Sequence, residues 1–574
     1  MRPDLVKTSV TGHILMAGLL LVACVGSASA VELDLFVTDY NEDPSPEQKP
    51  MATRAISYPN AEEVTVKVGG KAFTYKAPGG VAITPASEGR NLREARLFAS
   101  LGEYEPFSFL LRPKESIEEV MIAGGELKGP GGTIPAANVV VTSVEEFHGA
   151  GRQILMPLGK PWNMSAHAAE FFWCTVKVPG DAKPGAYTGE VAVTSKGQKI
   201  GAVSIVLDVL PIKLEDPPFG LGYNYSSPKN KKVLAAHLAD MRAHGMTTVA
   251  ALYNFHLPVY DNDTGELGEF IEAYKQAGYP AAFYFATPMD LELSELAGFG
   301  SVDSRRFQQR YIKVMRAVNA EVRKHGVPIV MSIGDELTNR GIEGVTIAGK
   351  LARLVWEELP EIATTSDMNG YMEVMAMAPC LNIATFNNGW DGSDHHNKGR
   401  HLINRRFLEE LQNKTAAIPW FVNAGTGRFP FGLFFWKMAR YGARGKVEWY
   451  YNLGKNERGS VVRVDGETVF PTMDYERSRE GIDDLKYLCK LEKLVAQATK
   501  ANKALAEVQR AEAVLKGIFD AIADDWTIYD TGTRFSIDGF GVVDPEKAAS
   551  LGQLNSTREA VAQQIIQLQS ALAK

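Results

Sequence analysis

Two adjacent carboxylates, Asp335 and Glu336, follow a short apolar run in the stretch PIVMSIGDELTNRG. Carboxyl groups donate and accept protons, so a pair of them at one point suits general acid–base chemistry. Adjacent acids also occur as helix caps and as solvated loop residues. The apolar run favours the chemical interpretation, because it predicts a buried strand that ends where the carboxylates begin. We therefore predict that Asp335 and Glu336 are catalytic.

Polar and aromatic residues follow most of the other apolar runs in this part of the chain. Aromatic rings stack on the apolar faces of sugars, and amides form hydrogen bonds with sugar hydroxyls. This composition indicates a glycan or amino-sugar substrate. From their position at or near the ends of the runs, we predict six substrate-binding residues: Tyr253, Asn254, Asn388, Trp390, Arg428 and Tyr451.

The elements that must position these residues are strands that alternate with amphipathic helices from Gly220 onwards. Strands alternating with helices predict parallel βα units, and eight such units predict a (β/α)8 barrel, whose chemistry lies at the carboxyl ends of the strands. The weakest link is GYMEVMAMAP, which is short for a helix with its loops. The eight predicted strands are GLGYNY (220–225), TTVAALYN (247–254), AAFYFA (281–286), PIVMSI (328–333), IATTSD (362–367), LNIATFN (381–387), IPWFVNA (418–424) and KVEWYYN (446–452).

The segments on either side of the predicted barrel have different patterns. Residues 31–215 contain short alternating runs separated by Gly, Pro and Asn, which predicts a β-sandwich. Residues 216–475 form the predicted barrel, and residues 476–574 have apolar residues at helical spacing. The predicted fold is therefore a multidomain α/β plus β protein with an N-terminal β-sandwich, a central (β/α)8 TIM-like barrel and a C-terminal helical segment.

Composition and motifs exclude several classes of protein. The chain has 574 residues, 45% hydrophobic residues and a net charge of −7 with mixed signs, so it lacks the basic surface that nucleic-acid binding requires. It has no phosphate-binding Gly-rich loop and no G-x-S-x-G motif. The four cysteines are far apart, and the adjacent histidines of DHH (394–396) are poorly placed to share one ion. We expect no cofactor, no metal and no nucleic-acid partner.

Residues 1–30 have the pattern of an export signal, with Arg2 and Lys7 before an apolar run and Ala28-Ser29-Ala30 at the end. We predict that the protein is periplasmic or extracellular. A second interpretation stays open, because LVAC (21–24) resembles a bacterial lipobox. A lipid on Cys24 would then attach the protein to the cell envelope, and this anchor is the one membrane contact that we expect.

Adjacent carboxylates suggest a particular division of labour on a sugar. Most glycosidases have one carboxylate on each side of the scissile bond. Two residues that are adjacent in sequence do not easily lie on opposite sides of that bond. If the substrate carries a 2-acetamido group, its carbonyl oxygen attacks the anomeric carbon in place of an enzyme nucleophile. Glu336 would then act as general acid and base. Asp335 would orient the acetamido N–H and stabilise the cationic intermediate.

Three stretches resemble glycoside hydrolase family 123, the β-N-acetylgalactosaminidases, and related exported bacterial proteins. They are PGDAKPGAYTGEVAVTS with VLPIKL near the end of the predicted sandwich, the Asp335-Glu336 pair, and FFWKMARYGARGKVEWYYN followed by ERSREGIDDLKYLCKLEKL. The resemblance spans roughly residues 31–495. It implies a retaining exo-glycosidase that acts on terminal β-linked N-acetylgalactosamine. By the same resemblance, Asp335 matches the stabilising aspartate and Glu336 the acid/base glutamate.

Two alternatives stay open from the sequence. In the first, Asp367 on the fifth predicted strand is a conventional nucleophile, which requires no acetamido group. In the second, the protein is a non-catalytic exported or lipid-anchored carbohydrate-binding or surface protein on a barrel scaffold. The direction of the two carboxylates distinguishes these alternatives, because catalysis requires both side chains at one pocket.

Overall fold

The structure is a computed structural model, and it describes most of the chain between residues 31 and 573. The described ranges are 31–41, 43–45, 55–57, 62–68, 71–77, 82–84, 93–147, 152–252, 258–261, 263–281, 283–286, 296–337, 341–389, 401–452, 460–526 and 554–573. The predicted leader at residues 1–30, including Cys24, lies outside them.

The first part of the chain is built from strands. They are β1 (Leu33–Thr38), β2 (Ala55–Ser57), β3 (Glu62–Val68), β4 (Lys71–Ala77), β5 (Ala82–Thr84), β6 (Glu94–Leu101), β7 (Tyr104–Pro113), β8 (Ile117–Gly124), β9 (Leu127–Gly129), β10 (Gly132–Ile134), β11 (Val139–Glu146), β12 (Gln153–Pro157), β13 (Trp162–Met164), β14 (Glu170–Lys177), β15 (Gly185–Ser195) and β16 (Gln198–Lys213).

These strands form two main sheets that share one apolar core. One sheet has the order β1-β7-β14-β11-β12, and the other has the order β10-β9-β15-β16-β6 with β8 and β13 attached through β15. The core includes Phe109 and Phe172 from the first sheet and Val191 and Ile205 from the second. β15 and β16 form the predicted hairpin, and its turn is made by Lys196 and Gly197, both at positive φ. Such a turn matches the twist of the two strands.

Eight parallel strands follow, and the first pairs with the last to give a closed barrel. Each of the eight predicted runs overlaps one of them. The strands are β17 (Gly220–Ser226), β18 (Ala250–Leu252), β19 (Phe283–Ala286), β20 (Ile329–Asp335), β21 (Ala363–Met368), β22 (Ile383–Phe386), β23 (Ile418–Val422) and β24 (Gly445–Glu448).

Helices connect consecutive strands of the barrel, and the weak link GYMEVMAMAP forms the seven-residue helix α5. The helices are α1 (Lys231–Ala243), α2 (Gly265–Gln276), α3 (Arg305–His325), α4 (Gly341–Glu358), α5 (Tyr371–Met377), α6 (Arg405–Lys414), α7 (Arg428–Phe431) and α8 (Leu433–Arg440), with short 3-10 turns at Ala136–Asn138, Ala297–Phe299 and Ala378–Cys380.

Local sequence signals define the helix that delivers the chain to β20. The Ser304 side chain accepts a hydrogen bond from the Phe307 backbone N–H at 3.3 Å, which caps the start of α3. Gly326 ends the helix in the left-handed conformation, with φ at +66°. β20 begins three residues later, and every residue from Ile329 to Gly334 is buried. The chain therefore enters the barrel wall with a fixed register.

Three more helices follow the barrel: α9 (Met473–Ala501), α10 (Leu505–Ala521) and α11 (Leu554–Ala573). β25 (Val462–Asp465) and β26 (Thr468–Pro471) form a small hairpin before α9, and β2 with β5 and β3 with β4 form two further pairs. Both α9 and α11 belong to the same apolar core as the barrel helices. α11 also packs on β3 of the N-terminal part.

The mixed α/β plus β class predicted from the sequence is confirmed by these sheets and helices. The predicted boundaries at residues 215 and 475 stay predictions. Among the described residues, no helix is long and apolar enough to cross a membrane. Of the cysteines they contain, Cys174 is fully buried, and Cys380 and Cys489 are partly buried free thiols.

Candidate active site at the carboxyl ends of β20 and β21

Asp335 and Glu336 stand at the carboxyl end of the fourth barrel strand, as the sequence predicted. Asp335 is the last residue of β20 and is exposed, whereas Glu336 is half-buried. Glu336 has φ at +45°, a conformation that residues other than glycine rarely adopt. Its backbone N–H donates a 3.0 Å hydrogen bond to the carbonyl of Asp367. Backbone strain of this kind persists where surrounding contacts enforce it, and it is frequent at functional sites.

Asp367 brings a third carboxyl group to the same corner of the barrel. It lies on β21, where its Cα is in register with that of Asp335. Adjacent strands lie about 4.8 Å apart, so the two residues are direct neighbours across the strand boundary. Asp367 is only 8% exposed, in contrast to Asp335. The corner therefore combines an exposed, a half-buried and a buried carboxyl group.

A buried glutamate in α5, which we did not predict, joins the loops that carry these residues. Glu373 is 1% exposed. One of its carboxylate oxygens accepts a hydrogen bond from the Leu337 backbone N–H at 2.9 Å, and the other accepts one from the Asn369 backbone N–H at 2.7 Å. The loops after β20 and β21 are thus both hydrogen-bonded to one side chain.

Amide side chains continue the polar surface beyond Asp367. The Asn387 side-chain N–H donates to the Asn369 side-chain oxygen at 2.6 Å, and the Asn387 oxygen accepts from the Gly389 N–H at 2.9 Å. Both asparagines are buried. Among the residues that the structure describes, the Asn369 side-chain nitrogen has no hydrogen-bond partner. Buried amides with a spare donor are typical of sites that bind polar ligands.

The structure places the six predicted substrate-binding residues in three different situations. Tyr253, Asn254 and Trp390 lie outside the described residues, so their predicted role stays a prediction. Asn388 is half-buried at the carboxyl end of β22. Its side-chain oxygen accepts hydrogen bonds from the backbone N–H groups of Leu402 and Ile403 at 3.2 and 2.9 Å, so this oxygen stabilises the loop.

Arg428 and Tyr451 are buried away from solvent, which corrects the expectation that they contact a substrate. Arg428 is 3% exposed and forms a bidentate ion pair with Asp484 at 2.7 and 2.9 Å. The Tyr451 hydroxyl donates to a carboxylate oxygen of Asp240 in α1 at 2.9 Å. Both side chains connect the barrel to helices. The sequence does not show whether an arginine or a tyrosine next to a strand end faces the solvent or the neighbouring helices.

No metal site is evident among the residues that the structure describes, which contain no group of three or more His, Cys, Asp or Glu side chains suited to hold an ion. The segment DHH (394–396) lies outside those residues.

The fold and this corner define a class: a parallel α/β barrel with an accompanying β-sandwich and a cluster of carboxyl groups at the carboxyl ends of its strands. No family model and no curated protein sequence matches the chain. Its structure is similar to that of a family 123 glycoside hydrolase from Clostridium perfringens, with a TM-score of 0.57 over 84% of this chain and 96% of that one. Sequence identity is 11%, so the similarity establishes the fold. The resemblance seen in the sequence is thus confirmed at the level of the fold.

Two further similarities to solved structures are looser. A family 39 glycoside hydrolase from Bacteroides cellulosilyticus WH2 has a TM-score of 0.33 at 12% identity and covers 63% of this chain and 80% of its own. The catalytic domain of a β-amylase from Paenibacillus polymyxa has a TM-score of 0.34 at 10% identity and covers 48% of this chain and 100% of its own. At these scores the similarity bears on neither fold nor function.

Proposed function

We propose that the protein is a glycoside hydrolase. The observation that carries this proposal is the cluster of Asp335, Glu336 and Asp367 at the carboxyl ends of two neighbouring barrel strands. This is the end of a parallel barrel at which enzymes carry their catalytic groups. The barrel neighbour from Clostridium perfringens is a glycoside hydrolase described as acting on glycolipid glycans, which supports a glycan as the substrate class.

We propose further that the substrate is a terminal β-linked N-acetylhexosamine, with N-acetylgalactosamine as the preferred sugar. The acetamido carbonyl oxygen attacks the anomeric carbon, and the glycosidic bond breaks. Glu336 donates its proton to the leaving oxygen, while Asp335 accepts a hydrogen bond from the acetamido N–H. The Glu336 carboxylate then takes a proton from water, which attacks the anomeric carbon and restores the acetamido group. Two inversions at one carbon retain its configuration.

The solvent exposure of Asp335 and Glu336 is in keeping with their proposed roles, because both must contact the substrate. Asp335 is exposed and Glu336 is half-buried, so a ligand in solution can reach both. The register of Asp335 with Asp367 supports a second mechanism on the same site, in which Asp367 is the nucleophile. Retaining enzymes of that kind have their two carboxyl groups about 5 Å apart, a separation that neighbouring strands can provide.

The test is the release of 4-nitrophenol from its β-N-acetylgalactosaminide by the wild type, Glu336→Gln and Asp335→Asn. The plain β-galactoside, which lacks the acetamido group, is the control substrate. We expect release from the acetamido substrate alone, with a loss of about 10²–10⁴-fold in each variant. Equal turnover of the plain galactoside would contradict the substrate-assisted mechanism. Failure to cleave any β-linked acetamido sugar would contradict the proposed function and favour the carbohydrate-binding alternative.

Export is proposed from the sequence of residues 1–30 alone, with cleavage after Ala30 or lipid attachment at Cys24. Mass spectrometry of the mature N-terminus distinguishes the two, because only the second leaves a lipid-modified cysteine as the first residue.

A further inference from the structure

Glu373 accepts hydrogen bonds from both loops at the carboxyl corner. It lies in the first turn of α5, the helix that joins β21 to β22. Its partners are the backbone N–H groups of Leu337, which directly follows Glu336, and of Asn369, which follows Asp367 by two residues. Both of these donors are backbone groups, so through them Glu373 acts on the path of the backbone.

The environment of Glu373 makes these two bonds strong. Hydrogen bonds from an N–H group to a carboxylate are shorter and stronger than those between neutral groups, and both distances are below 3 Å. The side chain is 1% exposed, so water does not replace a lost partner easily. Removing one oxygen leaves a buried N–H without an acceptor.

The two bonds act on the turn that positions Glu336. The Glu336 N–H is bound to the Asp367 carbonyl, and the next N–H along the chain, that of Leu337, is bound to Glu373. Two consecutive backbone groups are therefore held from β21 and α5. Together they enforce the unusual positive φ of Glu336, whose conformational cost is of the order of 1–3 kcal/mol.

We propose that Glu373 is a positioning residue that holds the proton-donating Glu336 in register with the neighbouring strand. This inference rests on the proposed glycosidase function. The two bonds that carry this role are made to backbone N–H groups and not to a reacting atom. Glu373 fixes the distance between the carboxyl group of Glu336 and the leaving oxygen, and a misplacement of 1 Å at such a distance costs on the order of 100-fold in rate.

The test uses Glu373→Gln, which keeps the size of the side chain and one carbonyl oxygen. The amide nitrogen that replaces the other oxygen cannot accept a hydrogen bond, so one of the two loops is released. We expect kcat to fall by about 10–100-fold while KM changes by less than about 3-fold, because the bound sugar keeps its contacts and the proton donor loses its alignment.

Dependence on the leaving group separates positioning from simple destabilisation. Phenol is a poor leaving group that needs protonation by Glu336, whereas 2,4-dinitrophenol leaves without it. The loss of kcat/KM in Glu373→Gln is therefore expected to be at least about 10-fold greater with the phenyl than with the dinitrophenyl β-N-acetylgalactosaminide, because kcat/KM reports the step in which the leaving group departs. Equal losses on the two substrates would overturn the proposal, since a merely less stable enzyme loses both activities together.

Glu357→Gln is the matched control, because Glu357 is an exposed glutamate of α4 in the adjacent βα unit. It is expected to leave both activities unchanged. If the wild type cleaves no acetamido substrate, the proposed function fails. Hydrogen exchange then remains as the test of the contact made by Glu373.

Hydrogen exchange of the wild-type protein tests the contact without any activity and without a variant. The backbone N–H groups of Leu337 and Asn369 are expected to exchange slowly, because both are bound to a buried carboxylate. In Glu373→Gln, exchange is expected to rise in the segments around these two residues and to stay unchanged in β15 and β16. Rapid exchange of both groups in the wild type would overturn the proposal.

Discussion

Asp335 and Asp367 are the same type of residue on adjacent strands, yet they differ in exposure and therefore in the role each can have. Asp335 is exposed and Asp367 is 8% exposed. If the acetamido group of the substrate is the nucleophile, the protein needs no nucleophile of its own. The less accessible Asp367 then supports the site without reacting.

The first prediction follows from that difference. Asp367→Asn is expected to retain activity on the 4-nitrophenyl β-N-acetylgalactosaminide within about 10-fold, whereas Asp335→Asn loses about 10²–10⁴-fold. Initial rates at saturating substrate measure both effects. Azide provides the decisive comparison, because it restores activity to a variant that lacks its nucleophile. Restoration of Asp367→Asn by azide, with an α-glycosyl azide as product, would identify Asp367 as the nucleophile.

Individual site residues were predictable where they directly follow a predicted strand in the sequence. The Asp335-Glu336 pair follows a buried strand directly, so its location required only the strand. Glu373 was not predictable, because it acts through a fold in which α5 returns to the loop after β20. Its signal was a single acid in the short stretch GYMEVMAMAP. Arg428 was assigned the wrong environment because its partner, Asp484, lies 56 residues further along the chain.

At the scale of the elements, the closure of the barrel depends on a large residue between two small ones. Trp420 on β23 lies against Gly220 of β17 and Gly445 of β24. A Cβ atom on either glycine would overlap the indole ring. These three strands include the seam at which the first strand pairs with the last.

The second prediction concerns this seam. Gly445→Ala is expected to destabilise the protein by about 1–3 kcal/mol, because the added methyl group would overlap the indole ring of Trp420. Chemical denaturation measures the change. Gly517→Ala is the control: this glycine is exposed in α10 with no atom near its Cβ position, and alanine there is expected to stabilise by about 0.5–1 kcal/mol. Equal effects of the two substitutions would contradict the packing argument.

The existence and order of the barrel strands could be predicted from the sequence, because apolar runs alternate there with amphipathic helical patterns. Their bounds were less predictable. β18 has three residues, although the apolar run TTVAALYN has eight. Hydrogen bonding to both neighbouring strands decides where a strand ends, and an apolar run does not contain that information. The contact of α11 with β3 was also not predictable, because it joins segments nearly 500 residues apart.

At the scale of the whole molecule, one arginine joins three parts of the chain. Arg558 of α11 lies 2.5 Å from Asp484 and 2.9 Å from Glu480, both in α9. It also lies 3.5 Å from Glu103 and 3.2 Å from Glu105 in the N-terminal part. Its side chain is 1% exposed. Four carboxyl groups therefore share this buried cation.

The third prediction is that Arg558→Gln destabilises the protein by about 3–5 kcal/mol, because it leaves buried carboxylates without their partner. Urea denaturation followed by tryptophan fluorescence measures the change. Arg510→Gln serves as the control, since Arg510 forms an exposed pair with Glu507 on α10 and is expected to have little effect. A loss no larger than that of Arg510→Gln would show that the cluster does not hold α11 in place.

The fourth prediction concerns pH and rests on Glu559, the neighbour of Arg558 in α11. Burial raises the pKa of Glu559 to about 7, and one of its oxygens has no hydrogen-bond partner in the described part of the chain. Between about pH 4.5 and pH 7 the folded state holds a proton that the unfolded state has released. The contribution of this group to stability is therefore present at the acidic end of that range and is lost as the pH rises through it.

The measurement is the free energy of unfolding at pH 5.5 and pH 8. Relative to the wild type, Glu559→Gln is expected to gain on the order of 1–3 kcal/mol of stability between pH 5.5 and pH 8. Glu512→Gln, at an exposed position of α10, is expected to keep the wild-type dependence on pH. A Glu559→Gln variant with the wild-type dependence would contradict the assignment.

The position of Arg558 also has a consequence for the order in which the molecule can be assembled during synthesis. Glu103 emerges from the ribosome 455 residues before Arg558, and Asp484 emerges 74 residues before it. Until residue 558 is available, the carboxylates that meet at this point must stay hydrated, because a buried charge without its partner is unfavourable. The sandwich and the barrel can each begin to fold early, but their shared interface is completed only after translation has passed α11. A nascent chain arrested between β24 and α11 is therefore expected to remain open to protease at this junction.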